Sequence, residues 1–133
     1  MKFKETYTAI MNSLFTPFVY QLDHEYYPID ISVIQPEIDK IKSLPYVTDL
    51  HDCDNSAFGL KGRADEKCNA VGIVIGWHWR PGGNILDQFK RFKSGGLHAW
   101  NCVITKEGIK QIEPQTGVIF DRKFGYLPIL VII

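Results

Sequence analysis

The sequence predicts one α+β domain that covers residues 1–133. Three observations support this fold class. Apolar residues recur at helical spacing in the first half of the chain, whereas short apolar runs separated by turn residues fill the second half. The chain has 133 residues, of which 45% are hydrophobic and 13% aromatic, so it can bury a core of its own.

Two short helices are predicted before residue 45. The segment 4–15 places four apolar side chains on one helical face: Tyr7, Ile10, Met11 and Leu14. The segment "IQPEIDKIKSL" carries Pro36 in a first-turn position and is ended by Pro45, which fits a second helix. Between them, "PFVYQLDHEYYPIDI" is rich in aromatic and β-branched residues and predicts an extended segment.

A third helix is predicted to begin at a cysteine. In "HDCDNSAFGLKGRADEKC", Asp52 or Asp54 can cap a helix that starts at about Cys53. The free N–H groups and the dipole of a helix amino end stabilise negative charge, so this position lowers the pKa of a thiol and favours the reactive thiolate. Cys68 lies at the opposite end of the same helix, where the dipole has the reverse effect, and Cys102 lies in an apolar run typical of a core strand.

The second half of the chain predicts antiparallel strands. A near-continuous apolar run, "NAVGIVIGWHW", indicates a buried strand, and "LHAWNCVIT", "IKQIEPQTGVIF" and "YLPILVII" are expected to follow as consecutive strands. The sheet carries the helix that begins at Cys53. The final apolar run is expected to be an edge strand, which offers a surface for pairing with a second copy in a homodimer.

Composition excludes several classes of partner. Lys+Arg and Asp+Glu balance at 15 each and no basic run occurs, which argues against nucleic acid. No stretch reaches about 18 apolar residues, so no membrane span is expected, and the amino-terminal segment does not fit a signal peptide. Three cysteines are an odd number, which favours free thiols in a reducing compartment and a cytoplasmic location.

A nucleophilic Cys53 needs a base and an orienting acid, for which His98 and Glu113 are the candidates. His98, Trp100 and Cys102 share one face of their strand. A four-residue connection would pair Trp100 with Glu113 and place the carboxylate diagonally next to His98, about 7–8 Å away between backbones. A two-residue connection at 107–108 would pair Glu113 with Cys102 instead, roughly 13 Å along the strand from His98.

Three short segments carry a resemblance to a known family. "DCDNSAFGLKG", "GLHAWNCVI" and "IEPQTG", spread over about Asp49 to Phe120, resemble the papain-like cysteine protease domain of fairy-ring mushroom agglutinins and related short phage or bacterial proteins. The resemblance implies a papain-like fold and a Cys-His-Glu triad of Cys53, His98 and Glu113. It also implies Gln115 near a developing oxyanion, a peptide or protein substrate, and calcium bound by Asp52 and Asp54, although Asn55 stands where a further acid is expected.

Other readings of the same residues stay open. Zinc would draw on His51, Cys53, Cys68, His98 and Cys102, but their spacing is poor and no CxxC is present. Trp77, Trp79 and Trp100 either line a cleft, with Trp100 near the substrate, or pack in the core. The sequence therefore predicts a cysteine peptidase or related thiol acyl-hydrolase, with a non-catalytic binding or adaptor protein on a hydrolase-like fold as the alternative.

Overall fold

The computed structural model describes residues 1–16, 18–47, 52–78, 84–86, 97–123 and 125–133. Its helices are α1 (Phe3–Leu14), α2 (Gln35–Lys42) and α3 (Cys53–Ala64), and a short 3₁₀ turn at Ile31–Val33 precedes α2. Its strands are β1 (Phe18–Tyr20), β2 (Val71–His78), β3 (Leu97–Thr105), β4 (Gly108–Glu113), β5 (Val118–Phe120) and β6 (Tyr126–Ile132). In the part of the chain that is described, no helix has the length and apolar character needed to cross a membrane.

Local signals set the bounds of the three predicted helices. Helix α1 buries Ile10 and Leu14 on one face and ends where Phe15 adopts a left-handed conformation with φ of 54°. Helix α2 has its proline in the first turn, where a missing N–H costs nothing. Helix α3 begins at a reciprocal capping box between Asp52 and Asn55, which satisfies two of the free donors at the helix start. The predicted cap at Asp52 is confirmed.

The six strands form one mixed sheet in the order β1-β6-β2-β3-β4-β5. All neighbouring strands are antiparallel except β1, which runs parallel to β6. The predicted antiparallel pairing therefore holds for β2 to β6 and fails for β1, which makes the sheet mixed. The edge position expected for "YLPILVII" is wrong, because β6 lies between β1 and β2. Strand β1 joins β6 from the far end of the chain, and local sequence patterns do not report such a pairing.

The β3–β4 hairpin sets the register on which the triad prediction depends. The ladder runs from Thr105 opposite Gly108 to Asn101 opposite Ile112, which leaves a two-residue turn at 106–107. Gly108 has φ of 124°, a conformation that glycine adopts at little cost. Extended by one pair, this register sets Trp100 opposite Glu113, the arrangement that the four-residue connection predicted, although the turn has two residues.

The core joins the helices to the sheet. Its largest fully buried side chains include Trp100, Leu60, Ile38 and Ile104, which come from β3, α3 and α2. The buried Asn101 amide donates to the carbonyl oxygens of Ala57, at 2.9 Å, and of Gly72, at 3.0 Å. These two bonds fix α3 against β2 and β3, and they thereby fix the position of the cysteine at the start of α3.

Candidate thiol site

Cys53 occupies the first turn of α3 and is half-buried. Its sulfur forms a hydrogen bond with the His98 imidazole and accepts one from the backbone N–H of Ala99. Both partners belong to the beginning of β3, against which α3 packs. The structure therefore brings the predicted nucleophile and base into contact.

Glu113 approaches the same histidine from the neighbouring strand. His98 Nε2 lies 2.6 Å from Glu113 Oε2, and the side chains of His98 and Glu113 are 14% and 9% exposed. The diagonal position across the β3–β4 pair gives the carboxylate the reach that the register argument required. His98 thus bridges the Cys53 thiol and the Glu113 carboxylate, so the three predicted residues form one connected chain of side chains.

The hydrogen bonds among Cys53, His98 and Glu113 favour an ion pair between the thiol and the imidazole. The hydrogen bond with His98 lowers the pKa of Cys53, and the Ala99 N–H lowers it further, while burial and the Asp52 charge oppose the shift. Burial works against a charged His98, but its hydrogen bonds with Cys53 and Glu113 outweigh burial and raise the pKa of His98 to about 9. Near neutral pH these shifts favour a thiolate beside an imidazolium.

The sequence did not predict Tyr126 or the role of His78 in this site. The Tyr126 hydroxyl donates to Glu113 Oε2 at 3.0 Å, so this one oxygen accepts from both Tyr126 and His98. His78 stacks on the Tyr126 ring with 4.2 Å between centroids and lies 5.2 Å from His98. The pairing of His78 with Tyr126 depends on a bulge in the β2–β6 register after Ile75, which no local pattern reports.

The remaining predicted site residues differ in their access to solvent. Trp100 is completely buried and stacks near His98, with its Nε1–H donating to Gln111 Oε1 at 2.7 Å, so it supports the histidine from the core. Gln115 lies in the turn after β4, and its Nε2 is buried without a hydrogen-bond partner among the described residues. Trp77 is half-buried at the end of β2. His51 and Trp79 lie outside the described residues.

The two aspartates that flank the cysteine are the predicted calcium ligands. A hydrogen bond between their side chains raises the pKa of Asp54, which shows that the carboxylates of Asp52 and Asp54 lie close together. Within the described ranges, no group of three His, Cys, Asp or Glu side chains is placed to hold a metal ion. Two carboxylates supply only part of the six to eight oxygen ligands that Ca²⁺ takes.

Comparison with solved structures identifies proteins with this fold. The complex of PSL1a with E64 superposes with a TM-score of 0.72 at 19% identity, over 100% of this chain and 51% of that one. The Polyporus squamosus lectin bound to Neu5Acα2-6Galβ1-4GlcNAc superposes with a TM-score of 0.70 at 20% identity, over 98% of this chain and 48% of that one. The chain thus spans about half the length of these structures. No protein-family model and no curated protein matches the sequence.

These neighbours correct four of the expectations from sequence. The fold is shared with PSL1a and with the Polyporus squamosus lectin, so the expected resemblance to a protease domain is wrong, and with it the papain-like fold class. The cysteine peptidase or acyl-hydrolase activity and a peptide substrate are likewise not what the comparisons support. Short motifs describe local geometry, and local geometry alone does not determine what a fold binds.

Proposed function

We propose that the protein is a non-catalytic binding protein whose ligand lies against the half-buried Cys53 thiol. The observation that carries the proposal is the chain of contacts from Cys53 through His98 to Glu113, which lowers the pKa of a half-buried thiol at the start of α3. A thiolate beside an imidazolium attracts polar ligands and forms covalent bonds with electrophilic ones. The fold neighbours, one in complex with E64 and one with a trisaccharide, support a binding role.

Oligosaccharides are the ligand class that we propose first. The support is the fold shared with the Polyporus squamosus lectin that is bound to Neu5Acα2-6Galβ1-4GlcNAc. Sugar rings commonly pack on exposed aromatic side chains, and this chain exposes several of them: Phe15, Phe18, Tyr20, Tyr27, Tyr46 and Phe58. Because the chain spans only half of that lectin, glycan binding by this chain needs its own measurement.

Titration calorimetry with the sialylated trisaccharide tests the ligand class directly. We expect saturable heat with Neu5Acα2-6Galβ1-4GlcNAc and weaker binding of Galβ1-4GlcNAc, which lacks the sialic acid. An array of oligosaccharides widens the search beyond this epitope. Absence of binding to the whole array would remove oligosaccharides as the ligand class.

The site is tested separately with Cys53→Ala and the matched variant Cys68→Ala. Incubation with E64, followed by mass spectrometry, should place an adduct on Cys53 in wild type and in Cys68→Ala, and none in Cys53→Ala. Labelling spread evenly over the cysteines would contradict a special site at Cys53. Turnover of peptides by wild type that is lost in Cys53→Ala would contradict the non-catalytic assignment.

Three further features belong to the proposal. Calcium bound by Asp52 and Asp54 is a proposed cofactor, supported by the closeness of the two carboxylates. A reducing, cytoplasmic compartment is supported by three free cysteines. A homodimer is a proposed assembly, for which the short edge strands β1 and β5 replace β6 as the surfaces open to pairing.

A further inference from the structure

We propose that Tyr126 is a positioning residue, whose hydroxyl holds the Glu113 carboxylate in the orientation that pairs it with His98. This inference rests on the proposed thiol site and adds to it a residue from the opposite side of the sheet order, since β6 and β4 are separated by β2 and β3. Tyr126 would act through Glu113 and His98, without touching a ligand.

Both hydrogen bonds of the Glu113 carboxylate are made by one of its oxygens, Oε2. Oε2 accepts from His98 at 2.6 Å and from Tyr126 at 3.0 Å, whereas Oε1 is buried and has no partner among the described residues. A buried carboxylate with few donors is poorly stabilised in its charged form. The Tyr126 hydroxyl is therefore a large part of what keeps the Glu113 carboxylate directed at the imidazole.

The ring of Tyr126 is itself fixed by its neighbours. It stacks on His78 at 4.2 Å, meets the Trp100 ring edge-on at 5.2 Å, and lies 4.8 Å from Phe120. A ring held on three sides can place its hydroxyl without paying rotamer entropy when the site is formed. The Tyr126 ring therefore packs against its neighbours, and the Tyr126 hydroxyl orients the Glu113 carboxylate.

Other ionisable groups that face this cluster need controls. His78 packs against both Tyr126 and His98, Lys123 Nζ lies 5.8 Å from the Tyr126 ring centre, and the Asp52 charge acts on Cys53. Each can contribute to the titration of His98. Tyr126→Phe changes none of them, because it removes only an oxygen and leaves the ring in place.

The test is the titration of the His98 ring, followed by nuclear magnetic resonance, because His98 is the group that the Glu113 carboxylate holds. In Tyr126→Phe we expect the midpoint of the His98 titration to fall by about half a pH unit, because a less well held carboxylate stabilises the imidazolium less. In a Glu113→Gln background, the same Tyr126→Phe change should produce no further fall. Thermal melts of all variants confirm that each one is folded at the temperature of the assay.

The outcomes distinguish this inference from the proposed function. If Glu113→Gln moves the midpoint and Tyr126→Phe does not, Tyr126 is a packing residue only and the inference is overturned. If Tyr126→Phe moves the midpoint equally with and without Glu113, the hydroxyl acts by another route, which also overturns it. If neither Glu113→Gln nor Cys53→Ala moves the midpoint, the thiol site of the proposed function itself fails.

Discussion

Two cysteines of this chain stand on neighbouring elements in opposite chemical environments. Cys53 begins α3, contacts His98, and has a lowered pKa. Cys102 lies inside β3, completely buried, where desolvation raises its pKa to about 12. Hydrogen bonds from the His98 imidazole and the Ala99 N–H thus outweigh partial burial at Cys53, whereas complete burial dominates at Cys102 and favours the neutral thiol.

The placement of Cys53 at a helix start and of Cys102 in a buried strand is as predicted from position alone. A helix start and the middle of an apolar strand are local features, and the residues next to each cysteine predict both. The neighbours that complete the site are less local, because His98 and Glu113 come from a later hairpin. The contrast between Cys53 and Cys102 leads to four predictions.

The largest expected effect is in alkylation rate. At pH 7 a thiol with a pKa of about 12 is about one part in 100,000 ionised, while a thiol with a pKa below 9 is at least about one part in a hundred ionised. We therefore expect iodoacetamide to label Cys53 at least about a thousandfold faster than Cys102, with peptide mass spectrometry as the measurement. Comparable rates for the two residues in the folded protein would contradict the assignment.

A second effect concerns the packing around Cys102. A Cβ at Gly72 would lie 2.8 Å from the Ile132 carbonyl oxygen and 3.0 Å from Cys102 Sγ, so the backbone itself must shift. We expect Gly72→Ala to lower the free energy of unfolding by about 1–3 kcal/mol in urea titrations. At Gly62 in α3 nothing lies within 4 Å, so Gly62→Ala should be stabilising by up to about 1 kcal/mol. A loss of stability in both variants would point to backbone strain in place of packing.

A third effect depends on the proton shared by Cys53 and His98. In wild type the pKa of Cys53 is lowered and that of His98 is raised to about 9, so a proton leaves the thiol and another is gained by the imidazole. Between the ordinary values of about 6.5 for histidine and about 8.5 for cysteine, the proton that the thiol releases on folding offsets the proton that the imidazole gains. The pair therefore adds less pH dependence to the free energy of unfolding in this window than the raised histidine pKa alone would.

Cys53→Ser removes the thiol from this balance and leaves His98 with Glu113. The stabilisation from a raised histidine pKa is fully present below about pH 6.5 and is lost as the pH rises through the raised value. We expect the free energy of unfolding of Cys53→Ser to fall relative to wild type by up to about 1.4 kcal/mol per pH unit above pH 6.5. Urea titrations at a series of pH values measure it, with Cys68→Ser as the control. Parallel curves for Cys53→Ser and wild type would argue against the ion pair.

The parts of the fold that the sequence predicts are those set by near neighbours. The start of α3 follows from Asp52 and Asn55, which stand within four residues of each other. The position of Trp100 opposite Glu113 follows from the register of the β3–β4 hairpin. The alternation of side chains along each strand restricts that register to a few options. The parallel pairing of Phe18 with Leu130 joins opposite ends of the chain, and no local pattern predicts it.

The function was harder to predict than the geometry. The motifs around Cys53, His98 and Glu113 predicted their contact, because each motif fixes one side chain on one element. They did not predict the fold that the whole chain shares with PSL1a and the Polyporus squamosus lectin, which depends on how all six strands are ordered. Tyr126 was not predicted for the same reason, since its position beside Glu113 follows from the shifted β2–β6 register.

The smallest expected effect concerns calcium at the Cys53 end of α3. Because the Asp52 side chain raises the pKa of Asp54, a cation between the two carboxylates would relieve their repulsion and stabilise the folded chain. At a calcium concentration about five times its Kd we expect about 1 kcal/mol of added stability in thermal melts. Asp54→Asn should remove this gain, whereas Asp39→Asn on the exposed side of α2 should keep it.

Calcium should also speed alkylation of Cys53 and leave Cys102 unchanged, because only the first thiolate lies next to the bound charge. Equal thermal shifts in wild type and Asp54→Asn would place any calcium away from these carboxylates.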